Sequence, residues 1–175
     1  MNVVPVDSPR LLDAFIRLPW RLYAGDPNWV PPLVAAERKM LDPRRNPFYL
    51  RAEAAHFLVE RAGAFVGRIS AILNRAHNEF HDEKTGFWGY FECEDDPATA
   101  AALFDRAAAW LRERGMNRML GPANPSLNDP CGMLVDGFSM PPCVMMTYNP
   151  AYHVPLAEGA GFRKAMDLLA YLIPT

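Results

Sequence analysis

An α+β fold built on a mixed, mostly antiparallel sheet follows from three features of the sequence. Two alternating runs, 54–61 and 65–74, meet across Ala62-Gly63, as the strands of an antiparallel hairpin do. Asp96-Pro97 then opens a helix with a single apolar stripe: Ala100, Leu103, Phe104, Ala107, Trp110 and Leu111. After it come a strand, a short helix and a strand. Local strands followed by this order give an α+β layout.

Taken in order, Val3 to Val6 is a short strand. Ser8-Pro9 is an N-cap with proline in the first helical turn, and the helix it opens should stop before Pro19. Asp26-Pro-Asn-Trp-Val-Pro-Pro32 is a turn into a second helix, about 33–41, which Asp42-Pro-Arg-Arg-Asn-Pro47 ends. Ala55, Phe57 and Val59 share one face of the first hairpin strand. Phe65, Gly67, Ile69, Ala71 and Leu73 share one face of the second. Residues 74–85 read as a polar loop, and the aromatic-rich 86–93 as the third strand of this sheet. Gly115 is the C-cap of the Pro97 helix. A short strand, 117–121, follows, then a Gly/Pro-rich stretch, a short helix at 152–160 and a long closing strand at 162–173. Leu168 to Leu172 is apolar on both faces, which puts that strand inside the sheet.

The length of 175 residues suits one domain with a real core. With half its residues hydrophobic and 22% charged, the chain is a soluble globular one. The net charge of −2 provides no basic excess for neutralising phosphates, so nucleic-acid binding has little support. Three cysteines with no Cys-x-x-Cys pair fit a reducing cytoplasm rather than a disulfide framework. The N-terminus lacks the pattern of a signal peptide, and the longest apolar run, 168–173, falls far short of the ~20 residues that span a bilayer. A cytoplasmic protein without a membrane partner is expected.

The stretch from Arg118 to Gly161 is too rich in glycine and proline for a helix, yet it holds Asn124, Asn128, Asp129, Asp136, Thr147, Tyr148 and Asn149. Long irregular connections in compact domains tend to be functional. Two readings stand: a surface loop with Asn and Asp as turn formers, or the rim of a ligand site. His77-Asn-Glu-Phe-His81 lacks the Glu that a zincin helix places directly after its first His, so no metal is expected. Glu92, Glu94, Asp95 and Asp96 crowd the start of the Pro97 helix. They either complement its dipole or, for Glu92 at a strand end, supply a general base. Tyr148 and Tyr152 flank Asn149-Pro150 as packing residues or general acids. Nothing basic lies near Cys131 or Cys143 in sequence to activate a thiol.

The element order and the run Asn149-Pro-Ala-Tyr152…Leu156…Gly161-Phe162 resemble the GNAT acyltransferase superfamily. The whole chain resembles, more closely, a bacterial family of GNAT-like proteins. The residues that carry this are Leu18-Pro-Trp-Arg-Leu-Tyr23, Asp26-Pro-Asn-Trp-Val-Pro-Pro32, Val66-Gly-Arg-Ile69, His77-Asn78, Gly86-Phe-Trp-Gly-Tyr-Phe-Glu92 and Gly121-Pro122. The resemblance implies one GNAT-like domain over 1–175, standing either alone, as a homo-oligomer, or as the N-terminal part of a longer two-domain protein.

Two departures qualify what it implies about chemistry. The glycine-rich loop that cradles CoA pyrophosphate in GNAT enzymes is replaced here by Glu92-Cys-Glu-Asp-Asp-Pro-Ala98. The tyrosine four residues before the Gly-Phe glycine is replaced by Ala157. Two functions therefore compete. One is an acyltransferase acting on an amine, with acyl-CoA, an acyl-carrier protein or an aminoacyl-tRNA as donor, as in Fem-type peptidyltransferases. Glu92 or His77 would take the amine proton, and Tyr148 or Tyr152 would protonate the leaving group. Main-chain N–H groups near Phe91 and Gly121, where two strands splay, would polarise the carbonyl. His77, Asn78, Asn124, Asn128 and Asn149 would meet the small-molecule substrate, and Phe91 and Cys93 the donor. The other function is a non-catalytic GNAT-fold module that binds a small molecule or a partner.

Overall fold

The computed structural model describes residues 1–171. Its sheet has five strands in the order of the sequence: β1 (Asn2–Pro5), β2 (Ala52–Arg61), β3 (Ala64–Asn74), β4 (Thr85–Cys93) and β5 (Arg118–Leu120). The first four pair antiparallel, and β5 joins β4 in parallel.

Helix α4 (Pro97–Arg112) covers one face and α1 (Pro9–Leu22) the other. Alternation along the strands sorts side chains between two cores. Phe57, Val59, Ile69, Ala71, Trp88 and Phe91 pack with Leu103, Phe104 and Leu111 of α4. Leu58 and Tyr90 pack with Phe15, Ile16 and Leu18 of α1. A register shift at Val59/Glu60 moves Phe65 off the face expected for it and onto the α1 side. Helix α2 (Val34–Met40) lies against α1, and α5 (His153–Gly159) against α4.

Three expectations need correction. Helix α1 does not stop before Pro19 but runs through it to Leu22. Proline lacks the N–H that would bond the Phe15 carbonyl four residues back. Arg68 of β3 supplies that donor instead, with Nη1 2.8 Å from the Phe15 oxygen. Residues 75–81 of the expected polar loop form a helix, α3 (Arg75–His81), because Asn74 caps it by accepting from His77 N–H at 3.1 Å.

The closing strand is absent through residue 171; residues 172 and 173 of that expectation lie outside the described residues. Apolar character signals burial but does not supply a hydrogen-bonding neighbour, and strands form only against one. Among the described residues β5 is one of the two sheet edges, and Leu168, Leu169 and Tyr171 are exposed.

Candidate active site

β4 bulges as it nears its end. Ser70 pairs with Gly89 and Arg68 with Glu92, so Ile69 alone faces both Tyr90 and Phe91. Tyr90 takes up the extra residue with φ of 50°. The bulge turns Tyr90 and Glu92 towards α1 and Phe91 and Cys93 towards α4. β5 pairs with β4 only as far as Phe87↔Leu120, while β4 continues to Cys93. The two strands do part. The chain after β5 nevertheless returns along β4: Ala123 N–H donates to the Trp88 carbonyl at 2.9 Å. That approach needs glycine on both sides. A Cβ on Gly89 would sit 1.8 Å from the Ala123 oxygen, and one on Gly121 would sit 2.4 Å from the Trp88 oxygen.

Beyond this return lies a cleft of ≈ 260 Å³, roofed by the irregular segment 121–149. Arg68, Tyr90 and Glu92 reach it from the α1 side; Trp88, Phe91 and His153 reach it from the α4 side. Asn124, Tyr148 and Asn149 also line it.

Glu92 is the chemically distinctive group. Its side chain is 13% exposed and lies 3.8 Å from Nη2 of buried Arg68. Tyr23, at the end of α1, donates to Oε2 at 2.8 Å. Burial pushes the Glu92 carboxyl up to about 7, against the opposing pull of Arg68 and the Tyr23 hydrogen bond. Burial, and then Glu92 itself, keep the Tyr23 phenol protonated far above its ordinary range. Glu92 is thus oriented by one donor, balanced by one cation and poised to exchange a proton near neutrality.

The other sequence-derived residues divide by location. Asn124 lies in the cleft, and its Oδ1 accepts the Tyr90 N–H at 2.6 Å. This closes one of the main-chain donors expected to be free at the splay. It also fixes the amide so that Nδ2 is left to donate, with no partner among the described residues. Tyr148 lines the cleft, but its hydroxyl donates to Asp26 at 2.7 Å, and burial together with that bond holds its pKa up at about 12. Asn149 also lines the cleft; its amide is bonded to the Leu134 main chain and the Pro150 carbonyl. Tyr152 does not line the cleft. It donates to the Cys93 carbonyl at 2.9 Å, and burial raises its pKa. Phe91 is a cleft wall, whereas the Cys93 thiol is sealed in the core and raised by burial.

His77 and Asn128 belong to a separate depression of ≈ 420 Å³ beside α3. Asn78 clamps the Thr85 main chain through both amide atoms. Two of the acids before α4 are engaged as well: Asp96 caps the helix, Arg61 pairs with Glu94 and Asp96, and Arg21 pairs with Glu94.

Sequence reasoning missed Arg68, Tyr23 and His153. Arg68 left a signal, a lone cation in the otherwise uncharged run 64–74. Tyr23 stood in a quoted motif, but its partner is 69 residues away. His153 gave no spacing clue.

The same architecture recurs in a solved structure described as a probable acetyltransferase. The match covers 100% of this chain and 98% of that one, with a TM-score of 0.54 at 14% identity. The fold is GNAT-like. No family model matches the chain. Two curated relatives contain this GNAT-like region. Bacterial ceramide synthase of Caulobacter vibrioides (strain NA1000 / CB15N) is 44% identical over 98% of this chain and 45% of its own length. Protein YghO of Escherichia coli (strain K12) is 38% identical over 91% of this chain and 41% of its own length. The chain therefore spans a little under half of each.

Proposed function

We propose that this chain carries the transfer site of an N-acyltransferase that joins an acyl group to a long-chain amine. The observation that carries the reading is Glu92: a carboxyl raised to about 7, held by Tyr23 and Arg68, in the lining of a cleft beside the point where two strands separate. An amine nucleophile must shed a proton as its nitrogen bonds to the acyl carbon, and Glu92 is the base that receives it. Asn124, its oxygen held by Tyr90, donates from Nδ2 to the carbonyl oxygen as negative charge develops there. Tyr148 and Asn149 shape the roof rather than move protons, since their polar atoms are committed elsewhere.

The substrate class is supported by the 44% identical relative, whose name denotes synthesis of ceramide, an amide of a fatty acid and a long-chain amino alcohol. Because this chain spans under half of that relative, the activity is proposed for the protein with whatever further sequence accompanies the region. The test is amide formation by the purified protein from hexadecanoyl-CoA and sphinganine, followed by mass spectrometry. Amide that disappears in Glu92→Gln supports the reading; no amide with the wild-type protein overturns it.

The Asn124 bond to Tyr90 favours a second reading, a non-catalytic binding module, because it closes a main-chain donor that transfer chemistry would otherwise use. Binding of sphinganine without turnover would support it.

A further inference from the structure

Among the described residues, four buried side-chain polar atoms have no partner: Tyr49 Oη, Arg68 Nε, Trp88 Nε1 and His153 Nε2. Three of these residues line the cleft at the end of β4. Buried polar atoms are nearly always satisfied, so a cluster of orphans around one cavity marks a place built for a polar guest. His153 is the most telling. It is 1% exposed, the first residue of α5, and packed edge-on against Phe91 at 5.0 Å and Tyr152 at 5.1 Å. Phe91 in turn stacks on Phe104 of α4. His153 thus approaches the cleft from the α4 face, whereas Glu92, bonded to Tyr23, approaches from the α1 face.

This opposition has a stereochemical consequence. An amine that hands its proton to Glu92 attacks the acyl carbon from the α1 face. The nitrogen adds roughly perpendicular to the plane that holds the carbonyl and its leaving group, so the acyl donor lies between the amine and the α4 face, with the far side of that plane turned towards α4. His153 Nε2 is the unpartnered group waiting there.

We propose that His153 contacts the acyl donor, its Nε2 forming a hydrogen bond to the donor beside the reacting carbonyl. The proposal rests on the transferase reading above. It involves no proton transfer by the imidazole: the amine proton goes to Glu92, the C–N bond forms, and the leaving group departs with the electron pair of its bond to carbon.

The test measures KM separately for hexadecanoyl-CoA and for sphinganine with the full protein. His153→Phe keeps the ring volume and removes the polar atom. It is expected to raise the KM for hexadecanoyl-CoA about tenfold, the loss of one hydrogen bond to a buried group, and to leave the KM for sphinganine within twofold. His153→Gln, with an amide near the Nε2 position, recovers most of that loss. If His153→Phe fails to fold, the wild-type protein still decides: the His153 Nε2 nitrogen resonance should move when a non-hydrolysable hexadecyl-CoA thioether is added. Turnover by the wild type with an unchanged hexadecanoyl-CoA KM in His153→Phe, or an unmoved resonance, overturns the assignment of His153 and leaves the transferase reading intact. No turnover by the wild type overturns both.

Discussion

Arg68 occupies the hydrogen-bonding place that Pro19 vacates: its Nη1 donates to the Phe15 carbonyl at 2.8 Å, while its Nη2 lies 3.8 Å from Glu92. One guanidinium thereby repairs a helix and balances the candidate base. The proline, which on its own predicts a helix end, instead exposes an acceptor that docks α1 onto the sheet. Phe15 and Tyr90 flank the guanidinium at 5.0 and 6.0 Å from their ring centres, a setting that favours the planar cation over an ammonium.

Arg68→Leu should therefore destabilise strongly, by about 3 kcal/mol or more, because it leaves the Glu92 carboxylate with the Tyr23 hydrogen bond but no balancing cation, and the Phe15 carbonyl without its donor. Urea unfolding at pH 8, where Glu92 is ionised, measures it. Arg68→Lys should recover only part of the loss, since one ammonium cannot copy the two-ended contact. A loss under 1 kcal/mol in Arg68→Leu would show that Arg68 does not hold the two elements together.

Gly89→Ala tests the close return of segment 121–124. Its Cβ would meet the Ala123 carbonyl at 1.8 Å, a clash with backbone that no rotamer change relieves. Loss of about 2 kcal/mol or more in thermal unfolding is expected. Gly63→Ala has open space around its Cβ and strain only from φ of 80°, so it should lose less.

Tyr148→Phe should leave the amide-forming rate within about threefold of wild type while lowering stability by about 1 kcal/mol, the worth of one hydrogen bond. The hydroxyl it removes is bonded to Asp26. A hundredfold fall in rate would restore Tyr148 as a general acid.

Two histidines, His56 half-buried and His153 buried, set the response of stability to acid. Burial lowers His56 and His153 from 6.5 to about 4. With the folded value depressed, the unfolded chain takes up protons first as pH falls below 6.5. Stability is full above 6.5 and drains away between 6.5 and 4, by roughly 2 kcal/mol per histidine at pH 5. Glu92 works in the opposite sense, because its raised value favours the folded state as pH falls from 7 towards 4.5. Urea midpoints at pH 7 and 5 should show the acid-induced loss shrink in His153→Gln; an unchanged loss would contradict it.

Much of the sheet was legible in the sequence because alternation along β2 and β3 and the stripe along α4 are properties of each segment alone. The position of Glu92, an acid near the end of an aromatic strand, was legible for a similar reason. Residues that depend on distant partners were not. Pro19 looks like a terminator until Arg68 is brought to Phe15 by the fold. Asn74 reads as the end of a strand until it also caps α3. Leu168 to Leu172 has the composition of a buried strand, yet the described part of it meets no neighbouring strand. His153 acquires its meaning only from the burial of its ring beside Phe91.

The most direct test of the account is the pH dependence of kcat/KM for amide formation between pH 5 and 9, in the wild type and in Tyr23→Phe. Glu92 acts as a base only when ionised, so activity should rise with pH through an inflection near 7. Removing the Tyr23 hydrogen bond, which favours the ionised carboxyl, should move that inflection upward. A profile that is flat across this range, or an inflection that stays put in Tyr23→Phe, would contradict the assignment of Glu92 as the base.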